Sequence, residues 1–441
     1  MTSPEPRSQA AILRFWFPLA ATWVMMAVEG PFVAAVIARL ADPAFNLAAY
    51  GVTFAFGFLV EAPIIMLLSA STALATDGEM FRRLRRFAYA LCGLSTAALV
   101  LILIPPVFHF VMDRLIALPP EVSRLTAQSL WILLPWPAAI GYRRFYQGIL
   151  IRDDRTRLVA VGTVVRLVGM AATSLTLYAF APLPGAVIAA CALVFGVVGE
   201  SAATRWMARD SVQRLEALPR AADAGPALDY GAIARFYYPL ALTSLIGLAV
   251  QPMLTFFMGR APAPIESLAV FPVVHSLGFV FRAACLAFQE VAIALLGPRA
   301  QHLPELRRFT WGLATATTAI LVAVAATPLA RVWYEGVSGL SPDLARYAFL
   351  PTLLLAPVPF ATAWLSLYRG ILVVAHRTGP ITTSTAVEVA VILLAFPVLT
   401  GLLGVVGVTA ALGAFLVGRV AGVVVLFRPV GRALQGASTP H

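Results

Sequence analysis

The feature that most constrains this chain is an internal repeat. Residues 15–74 align without a gap on residues 236–295 at an offset of 221, with identity at 16 of the 60 positions. A second block repeats at an offset of 222, where residues 145–150 return as residues 367–372. Apolar composition alone would give identity at roughly a tenth of positions. The chain therefore consists of one unit of about 220 residues that is used twice.

The composition indicates a membrane protein. Apolar residues make up 60% of the chain, charged residues 12%, and the mean hydropathy is +0.86, whereas about a quarter of the residues of a soluble protein are charged. Twelve apolar runs are each long enough to cross a hydrocarbon core of about 30 Å as a helix. They cover residues 15–40, 45–75, 87–110, 121–149, 158–181, 184–207, 230–258, 264–297, 309–333, 343–374, 380–400 and 404–428.

Six spans in each repeat predict an all-α integral membrane protein. Its twelve transmembrane helices would form two six-helix lobes related by a pseudo-twofold axis along the membrane normal, with a cleft between them. The predicted domains are an N-terminal lobe (1–207), a cytoplasmic linker (208–229), a C-terminal lobe (230–428) and a cytoplasmic tail (429–441).

Prolines at repeated positions predict breaks or bends in the first, second and fourth spans of each lobe. Freed carbonyl groups are tolerated in lipid mainly where a helix is covered by protein or lines a wet cavity, so these spans are candidates for the cleft wall. Simple packing kinks are the alternative interpretation. The prolines are Pro18, Pro31, Pro63, Pro135, Pro137, Pro239, Pro252, Pro357 and Pro359.

The distribution of arginine predicts the orientation of the chain in the membrane. All 32 basic residues are arginines, and they cluster in alternate connections such as 82–86 and 205–220. This bias places those connections and both termini in the cytoplasm, with the chain in the cytoplasmic (inner) membrane. Membrane topology also explains the net charge of +11, so no nucleic-acid partner is expected.

The sequence carries no HExxH, GxSxG, P-loop or paired CxxC motif. Cys92, Cys191 and Cys285 lie inside apolar runs without metal-type spacing, so free thiols and no metal or other cofactor are expected. These observations favour a monomeric, gradient-driven transporter over an enzyme. Two other classes are a scaffold and a membrane-embedded transferase. Candidate carboxylates for the transferase are Asp42, Asp113, Glu121, Glu335 and Asp343.

Ionised side chains inside the spans mark the candidate site. An ionised group facing lipid at the midplane costs at least about 2.5–3.5 kcal/mol, so these groups should face one another or water. By the repeat, Glu61 corresponds to Arg282, and Arg166 corresponds to Glu388. Corresponding residues would either pair across the lobes as a gate, or Glu61 would pair with Arg166 and Arg282 with Glu388 as staples within each lobe. Separate roles in substrate or proton binding are the third possibility.

Two groups of residues follow from this pattern. Substrate binding or gating is predicted for Arg282, Arg166, Glu61, Glu388, Gln251, Arg369 and Arg419. Coupling-ion binding is predicted for Glu29, Glu61 and Glu290, because a carboxylate buried beside a helix break is a candidate proton or cation site. A carboxyl group hydrogen-bonded to a neighbouring helix is the simpler alternative.

Arginine equals or outnumbers the acidic residues in the spans, and its guanidinium group binds carboxylate or phosphate in a bidentate manner. The residues therefore favour a small anionic or phosphate-bearing cargo. The alternatives are a proton- or sodium-coupled exporter of cationic amphiphiles and a flippase for lipid-linked saccharides. His275 replaces Phe54 of the first copy at mid-span, and a lone histidine there is interpreted as a hydrogen-bonded polar residue.

Several short motifs resemble a known superfamily. Each lobe opens on Phe-aromatic-aromatic-Pro-Leu, and a Tyr-x-Gly-Ile-Leu turn follows the fourth span. In these features the chain resembles the multidrug/oligosaccharidyl-lipid/polysaccharide (MOP) flippase superfamily, with a MATE-like fold.

Within that superfamily the chain is most similar to the progressive ankylosis family. The similar pieces are residues 236–242 followed by Pro252 and Arg260, then residues 49–51 and residues 148–150. The resemblance implies export of small polyanions such as pyrophosphate, nucleotide or citrate. It also implies a basic residue at the position of Gln251, where this chain has a neutral amide.

Overall fold

The structure of the chain is a computed structural model that describes residues 8–37, 39–116, 118–220, 228–258, 261–337 and 341–438. Every regular element in these ranges is helical. The α-helices are α1 (Gln9–Ile37), α2 (Pro43–Glu61), α3 (Leu67–Leu74), α4 (Gly78–Leu103), α5 (Pro105–His109), α6 (Pro120–Ile132), α7 (Trp136–Arg152), α8 (Thr156–Phe180), α9 (Gly185–Met207), α10 (Arg209–Ala217), α11 (Tyr230–Met258), α12 (Pro264–Leu286), α13 (Phe288–Leu295), α14 (Leu303–Ala326), α15 (Leu329–Arg331), α16 (Pro342–Tyr347), α17 (Phe349–Leu355), α18 (Val358–Val374), α19 (Gly379–Gly401) and α20 (Gly407–Ser438).

Each of the twelve predicted spans coincides with one long helix or with consecutive shorter helices. Within the described ranges, eight helical segments are long and apolar enough to cross a bilayer. The second span is divided into α2 and α3, and the fourth into α6 and α7. The predicted class, an all-α integral membrane protein, is thus confirmed.

The prolines act differently in different spans. A helix ends or begins beside Pro63, Pro135 and Pro357, so the predicted breaks in the second span of the first repeat and in both fourth spans are observed. Proline favours such positions because it has no amide hydrogen to donate within a helix. In contrast, α1 and α11 are not broken at their prolines, which are Pro18, Pro31, Pro239 and Pro252.

Both repeats use the same helix pairs. Helix α3 packs on α7, and α8 packs on α9; the corresponding pairs of the second repeat are α13 on α18 and α19 on α20. Left-handed backbone conformations also recur, with φ of 49° at Asp42 and 52° at Ala263, and φ of 58° at Asp154 and 56° at His376. The sequence repeat is therefore a repeat of packing and of loop geometry.

Packing divides the chain at other places than the sequence repeat does. One compact unit comprises residues 25–245, and the other comprises residues 1–24 with 246–441. In the second of these units, Trp16 Nε1 donates a hydrogen bond to the Ala284 carbonyl at 2.9 Å. In the first, the Tyr237 hydroxyl donates to the Pro63 carbonyl at 2.6 Å. The boundaries predicted at 207 and 230 follow the repeat, whereas these contacts assign the first halves of α1 and α11 to the unit formed mainly by the other repeat.

The segment predicted as a linker, 208–229, is partly helical because it contains α10. Its residues 221–227 lie outside the described part of the chain. Two carboxylates of the 25–245 unit hold this segment. Asp153 pairs with Arg214 and accepts from the Ser211 hydroxyl at 2.6 Å, and Asp77 Oδ2 lies 2.8 Å from Arg220 Nη1. The start of the segment is therefore part of that unit.

Gly148 of α7 and Gly370 of α18 are equivalent glycines at helix crossings. A Cβ atom at residue 148 would lie 1.8 Å from Ser71 Oγ, and one at residue 370 would lie 2.6 Å from Ala292 Cβ. We expect Gly148→Ala and Gly370→Ala each to lower the free energy of unfolding by about 1–3 kcal/mol, because overpacking displaces a neighbouring helix. Thermal unfolding of the purified protein in detergent measures this loss. Gly93→Ala is the matched control, since its Cβ would meet open space; equal melting temperatures for all three variants would contradict the close approach.

Candidate functional site

Two pairs of long helices carry four of the buried charges, which are Arg166, Glu200, Glu388 and Arg419. Helix α8 contributes Arg166 and packs along α9, and the equivalent helix α19 contributes Glu388 and packs along α20. Equivalent glycines lie beside these charges: a Cβ atom at Gly196 would lie 3.0 Å from the Arg166 carbonyl, and one at Gly418 would lie 2.8 Å from the Glu388 carbonyl. The close helix contact holds the charged side chains in a low-dielectric environment.

The first of these sites is the N-terminal charge cluster, which we define as Glu29, Arg143, Arg166 and Glu200. Arg166 Nη2 lies 2.5 Å from Glu29 Oε2, Arg166 Nη1 lies 3.9 Å from Glu200 Oε2, and Arg143 pairs with the same Glu200 oxygen. None of the four residues is more than 6% exposed. The ion pairs join α1, α7, α8 and α9 of the 25–245 unit.

Neutral groups complete the surroundings of the cluster. Glu200 Oε1 accepts hydrogen bonds from Gln147 Nε2 at 3.1 Å and from the Thr163 hydroxyl at 3.4 Å. The Arg166 guanidinium lies over the Trp136 ring at 5.7 Å from its centroid. A buried ion pair is stable only when its remaining polar atoms are also satisfied, and Glu200 meets this condition on both oxygens.

Two further charges lie close to the N-terminal charge cluster. Glu61 and Arg144 are 5% and 7% exposed. Glu61 is within electrostatic range of Arg144 and Arg166, yet within the described ranges neither Glu61 nor Arg144 has an opposite charge within 4.0 Å. The buried charged residues inside the spans of this unit are thus three acidic and three basic ones. They are Glu29, Glu61 and Glu200, and Arg143, Arg144 and Arg166.

The second site is the C-terminal charge cluster, defined as Arg282, Arg369, Glu388 and Arg419. Arg419 Nη2 lies 2.9 Å from Glu388 Oε1, and Arg369 Nη2 donates to the Thr385 hydroxyl at 2.8 Å. These contacts join α18, α19 and α20. One carboxylate faces three guanidinium groups here, so the cluster carries an excess of positive charge.

Within the C-terminal charge cluster, Arg282 is the arginine whose positive charge is least neutralised by its neighbours. Its Nη1 atom donates to His275 Nε2 at 3.5 Å, and its guanidinium lies 4.9 Å from the centroid of Phe415 and 6.0 Å from that of Phe279. Arg419 lies over Phe415 as well, at 5.2 Å. In the described part of the chain, no carboxylate is within salt-bridge distance of Arg282.

The two units share one helix-to-helix ion pair with the charges exchanged. In the 25–245 unit a cation on α8, Arg166, faces a carboxylate on α9, Glu200. In the other unit a carboxylate on α19, Glu388, faces a cation on α20, Arg419. The repeat therefore preserves the pairing of the helices while it reverses the polarity.

The intralobe pairs, which were one of the three alternatives left open by the sequence, do not form. Arg166 pairs with Glu29 and Glu200 instead of Glu61, and Glu388 pairs with Arg419 instead of Arg282. The physical reason is that α1 and α9 bring Glu29 and Glu200 to Arg166, while α20, which packs along α19, brings Arg419 to Glu388. The pairing across lobes stays a prediction.

The structure places the remaining predicted residues in different surroundings. Glu29 has an ion pair through Oε2, while its buried Oε1 has no hydrogen-bond partner among the described atoms. Glu290 on α13 is 8% exposed and has a polar partner. The side chain of Gln251 lies outside the described residues. Within the described ranges, no group of three His, Cys, Asp or Glu side chains could hold a metal ion.

Sequence reasoning missed the central role of Arg143 and Glu200. Both lie inside predicted spans, but they have no charged counterpart in the second repeat, where Leu365 and Gly422 stand. The signal that could have found them is the coincidence of an arginine and a glutamate in neighbouring apolar spans, which requires partners for both.

The fold and the buried charges define a class, a polytopic membrane protein with the architecture of secondary transporters. No protein-family model matches the sequence, and no curated protein matches it. Solved structures do match. The MATE transporter VcmN of Vibrio cholerae in its bent form gives a TM-score of 0.75 at 15% identity, covering 97% of each chain.

Two further structures show the same similarity. An outward-facing multidrug resistance MATE family transporter of the MOP superfamily gives a TM-score of 0.75 at 16% identity, with 98% of this chain and 97% of that chain covered. A MOP superfamily transporter from Pyrococcus furiosus, whose binding pocket of reverse polarity suggests a different function, gives 0.77 at 15%, with the same coverage. The chain therefore has the fold of MATE transporters, and the fold predicted from the sequence is confirmed.

Glu200 tests the N-terminal charge cluster. We expect Glu200→Gln to lower the free energy of unfolding by about 3–5 kcal/mol, because it removes one partner of a buried ion pair and leaves Arg143 uncompensated. The measurement is the melting temperature in detergent. Glu216→Gln is the matched control, since Glu216 pairs with Arg85 at 3.3 Å on the surface and such pairs contribute at most about 1 kcal/mol. Similar shifts for both variants would show that the buried cluster adds no stability.

Proposed function

We propose that this chain is a gradient-driven secondary transporter that exports or flips a small anionic or phosphate-bearing substrate by alternating access. The fold supports transport, since the solved structures that share it are transporters. A fold alone does not specify a cargo. The substrate class is therefore argued from the charges of the C-terminal charge cluster.

The proposal rests on the observation that none of the described carboxylates lies within salt-bridge distance of Arg282. The other ionised groups within its electrostatic range are Arg419 and Glu388, and these two already neutralise each other in a 2.9 Å ion pair. A guanidinium group inside a membrane-spanning helix is costly unless an anion faces it. A substrate carboxylate or phosphate would supply that anion and would match the fork of donors in a bidentate manner.

The balance of acidic and basic residues in the two units also supports an anionic substrate. Among the charged residues singled out inside the spans, away from the ends of the helices, those of the 25–245 unit are three carboxylates and three arginines. Those of the other unit are three arginines and two carboxylates. The arginines are Arg282, Arg369 and Arg419, and the carboxylates are Glu290 and Glu388. Binding of an anion would offset this excess of positive charge.

The resemblance to the progressive ankylosis family adds candidate substrates, which are pyrophosphate, nucleotide and citrate. The Pyrococcus furiosus transporter with the same fold is a protein whose binding pocket has reverse polarity. It supports the view that this fold does not require a cation-binding pocket. We further propose that the protein is a monomer in the cytoplasmic membrane, with both termini in the cytoplasm, because of the arginine bias of its connections.

A second candidate is a proton- or sodium-coupled exporter of cationic amphiphiles. Two observations favour it: Glu61 has no ion pair within the described ranges, and one buried oxygen of Glu29 has no hydrogen-bond partner there. Either carboxylate would accept a proton or a cation. A flippase for lipid-linked saccharides is the third candidate, because such substrates also present phosphate to Arg282.

Arg282 provides the first functional test. In proteoliposomes, we expect Arg282→Ala to reduce uptake of labelled pyrophosphate or citrate by about tenfold to a hundredfold, since a charged hydrogen bond contributes about 1.5–3 kcal/mol. Arg308→Ala, which removes an exposed arginine at the start of α14, is the control and should leave uptake unchanged. Normal anion uptake by a folded Arg282→Ala protein would remove Arg282 from the site.

Glu29 provides the test of the second candidate. If cationic amphiphiles are the cargo, efflux of a cationic dye should follow an imposed proton gradient and should be lost in Glu29→Gln, because the amide cannot exchange a proton. If the anion proposal is right, the same liposomes should show no gradient-driven dye movement. Gradient-driven dye efflux together with absent polyanion uptake would overturn the anion proposal.

A further inference from the structure

His275 and Arg282 lie on one face of α12, two helical turns apart. Arg282 Nη1 approaches His275 Nε2 to 3.5 Å. Because a guanidinium group only donates hydrogen bonds, Nε2 must be the acceptor, and the imidazole in this pair is neutral with its proton on Nδ1. The same nitrogen atom that faces the anion-binding candidate is therefore the atom that would take up a proton.

Packing does not explain the histidine. The His275 ring stacks on Phe271 with centroids 5.5 Å apart and planes at 29°. At the equivalent positions of the first repeat, Phe54 stacks on Tyr50 at 5.5 Å and 26°. Phenylalanine thus fills the same space with the same geometry, and what the imidazole adds in the second repeat is a titratable nitrogen.

Among the described residues, Arg282 is the one charged group that interacts electrostatically with His275. Helix α12 packs on α13, α14, α16, α17, α18 and α20. The titratable and charged residues on these helices are Glu290 on α13, Glu305, Arg307 and Arg308 on α14, Asp343, Arg346 and Tyr347 on α16, Tyr368 and Arg369 on α18, and Arg419, Arg428 and Arg432 on α20. No described carboxylate is positioned to stabilise an imidazolium cation at residue 275.

We propose that His275 is a protonatable ligand of the anion site, so that one proton binds at Nε2 when the anion binds beside Arg282. This inference rests on the proposed function and specifies how the site is coupled. Without an anion, a proton on Nε2 would place two cations side by side. With an anion between them, both groups donate to its oxygens and the repulsion becomes attraction.

Thermodynamic linkage makes the effect reciprocal. If the bound anion favours protonation of His275, then protonation favours anion binding by the same factor. One proton is taken from solution for each anion bound, and it travels with the anion when the site opens on the other side. The anion would therefore move together with one proton, which lowers the negative charge carried across the membrane by one.

The test compares the wild-type protein with His275→Phe and His275→Gln. The phenylalanine restores the ring stack of the first repeat without a titratable nitrogen, and the glutamine keeps a hydrogen-bond acceptor for Arg282. His109→Gln is the matched control, because His109 is exposed and belongs to the other unit. The binding of inorganic pyrophosphate, and of citrate in a parallel series, is measured calorimetrically in detergent between pH 8 and pH 5.5.

The expected result is a ratio of wild-type to His275→Phe affinity that grows as the pH falls, by up to about tenfold per pH unit, the limit for one linked proton. Titration of the ligand itself is common to both proteins and cancels in the ratio. Repeating the titration in buffers of different ionisation enthalpy should show uptake of up to one proton per anion. That uptake should be lost in both His275 variants and kept in His109→Gln.

The two proposals fail in different ways. If the wild-type protein binds either polyanion but the ratio is constant with pH and proton uptake is unchanged in the variants, the role of His275 is wrong and the anion site stands. If the wild-type protein binds neither polyanion, the proposed function fails and the role of His275 fails with it. Melting temperatures close to the wild-type value, expected for the phenylalanine variant from the duplicated stack, exclude a folding defect.

Discussion

The structure depends on the cost of placing ionised groups inside apolar helices. Because the hydrocarbon core offers no water, each buried guanidinium or carboxylate must find an opposite charge or several hydrogen bonds on a neighbouring helix. Arg166 meets this requirement by contacting Glu29 and Glu200, and Glu388 meets it by contacting Arg419. The helix pairs with the most extensive contact, α8 with α9 and α19 with α20, carry the Arg166–Glu200 and Glu388–Arg419 pairs, and α1 supplies Glu29.

The internal repeat supplies one scaffold twice, and the charges make the two copies unequal. Helix pairs, left-handed loop residues and the aromatic stack on the second span recur in both halves. Opposite charges occupy positions 61 and 282, and positions 166 and 388. A duplicated fold can thus give its two units different chemistry, with a neutralised network in one and an excess of guanidinium groups in the other. The proposed anion site and its histidine use this inequality.

The sequence predicted the helical spans correctly but did not predict which buried charges form ion pairs. The twelve spans, their breaks beside Pro63, Pro135 and Pro357, and the burial of Glu29, Glu61, Arg166 and Glu388 all follow from hydropathy, proline chemistry and the cost of burying charge. The ion-pair partners of Arg166 and Glu388 cannot be predicted in this way. Pairing depends on which helices lie next to these residues and on where along those helices the opposite charge is placed. The repeat could not reveal Arg143 and Glu200 as a pair, since neither has a charged counterpart in the other copy.

By itself, the sequence determined that this chain is a duplicated, twelve-span membrane protein with charges that must be buried against one another, because periodicity, span length and composition are properties of the chain alone. Only the tertiary structure decided that Arg143 and Glu200 complete one cluster, and that Arg282 faces His275 with no carboxylate of the described residues in salt-bridge range. It also decided that the first halves of α1 and α11 pack within the unit formed mainly by the other repeat. These outcomes depend on distances between helices that are remote in sequence, and such distances are set by the packing of whole helix faces.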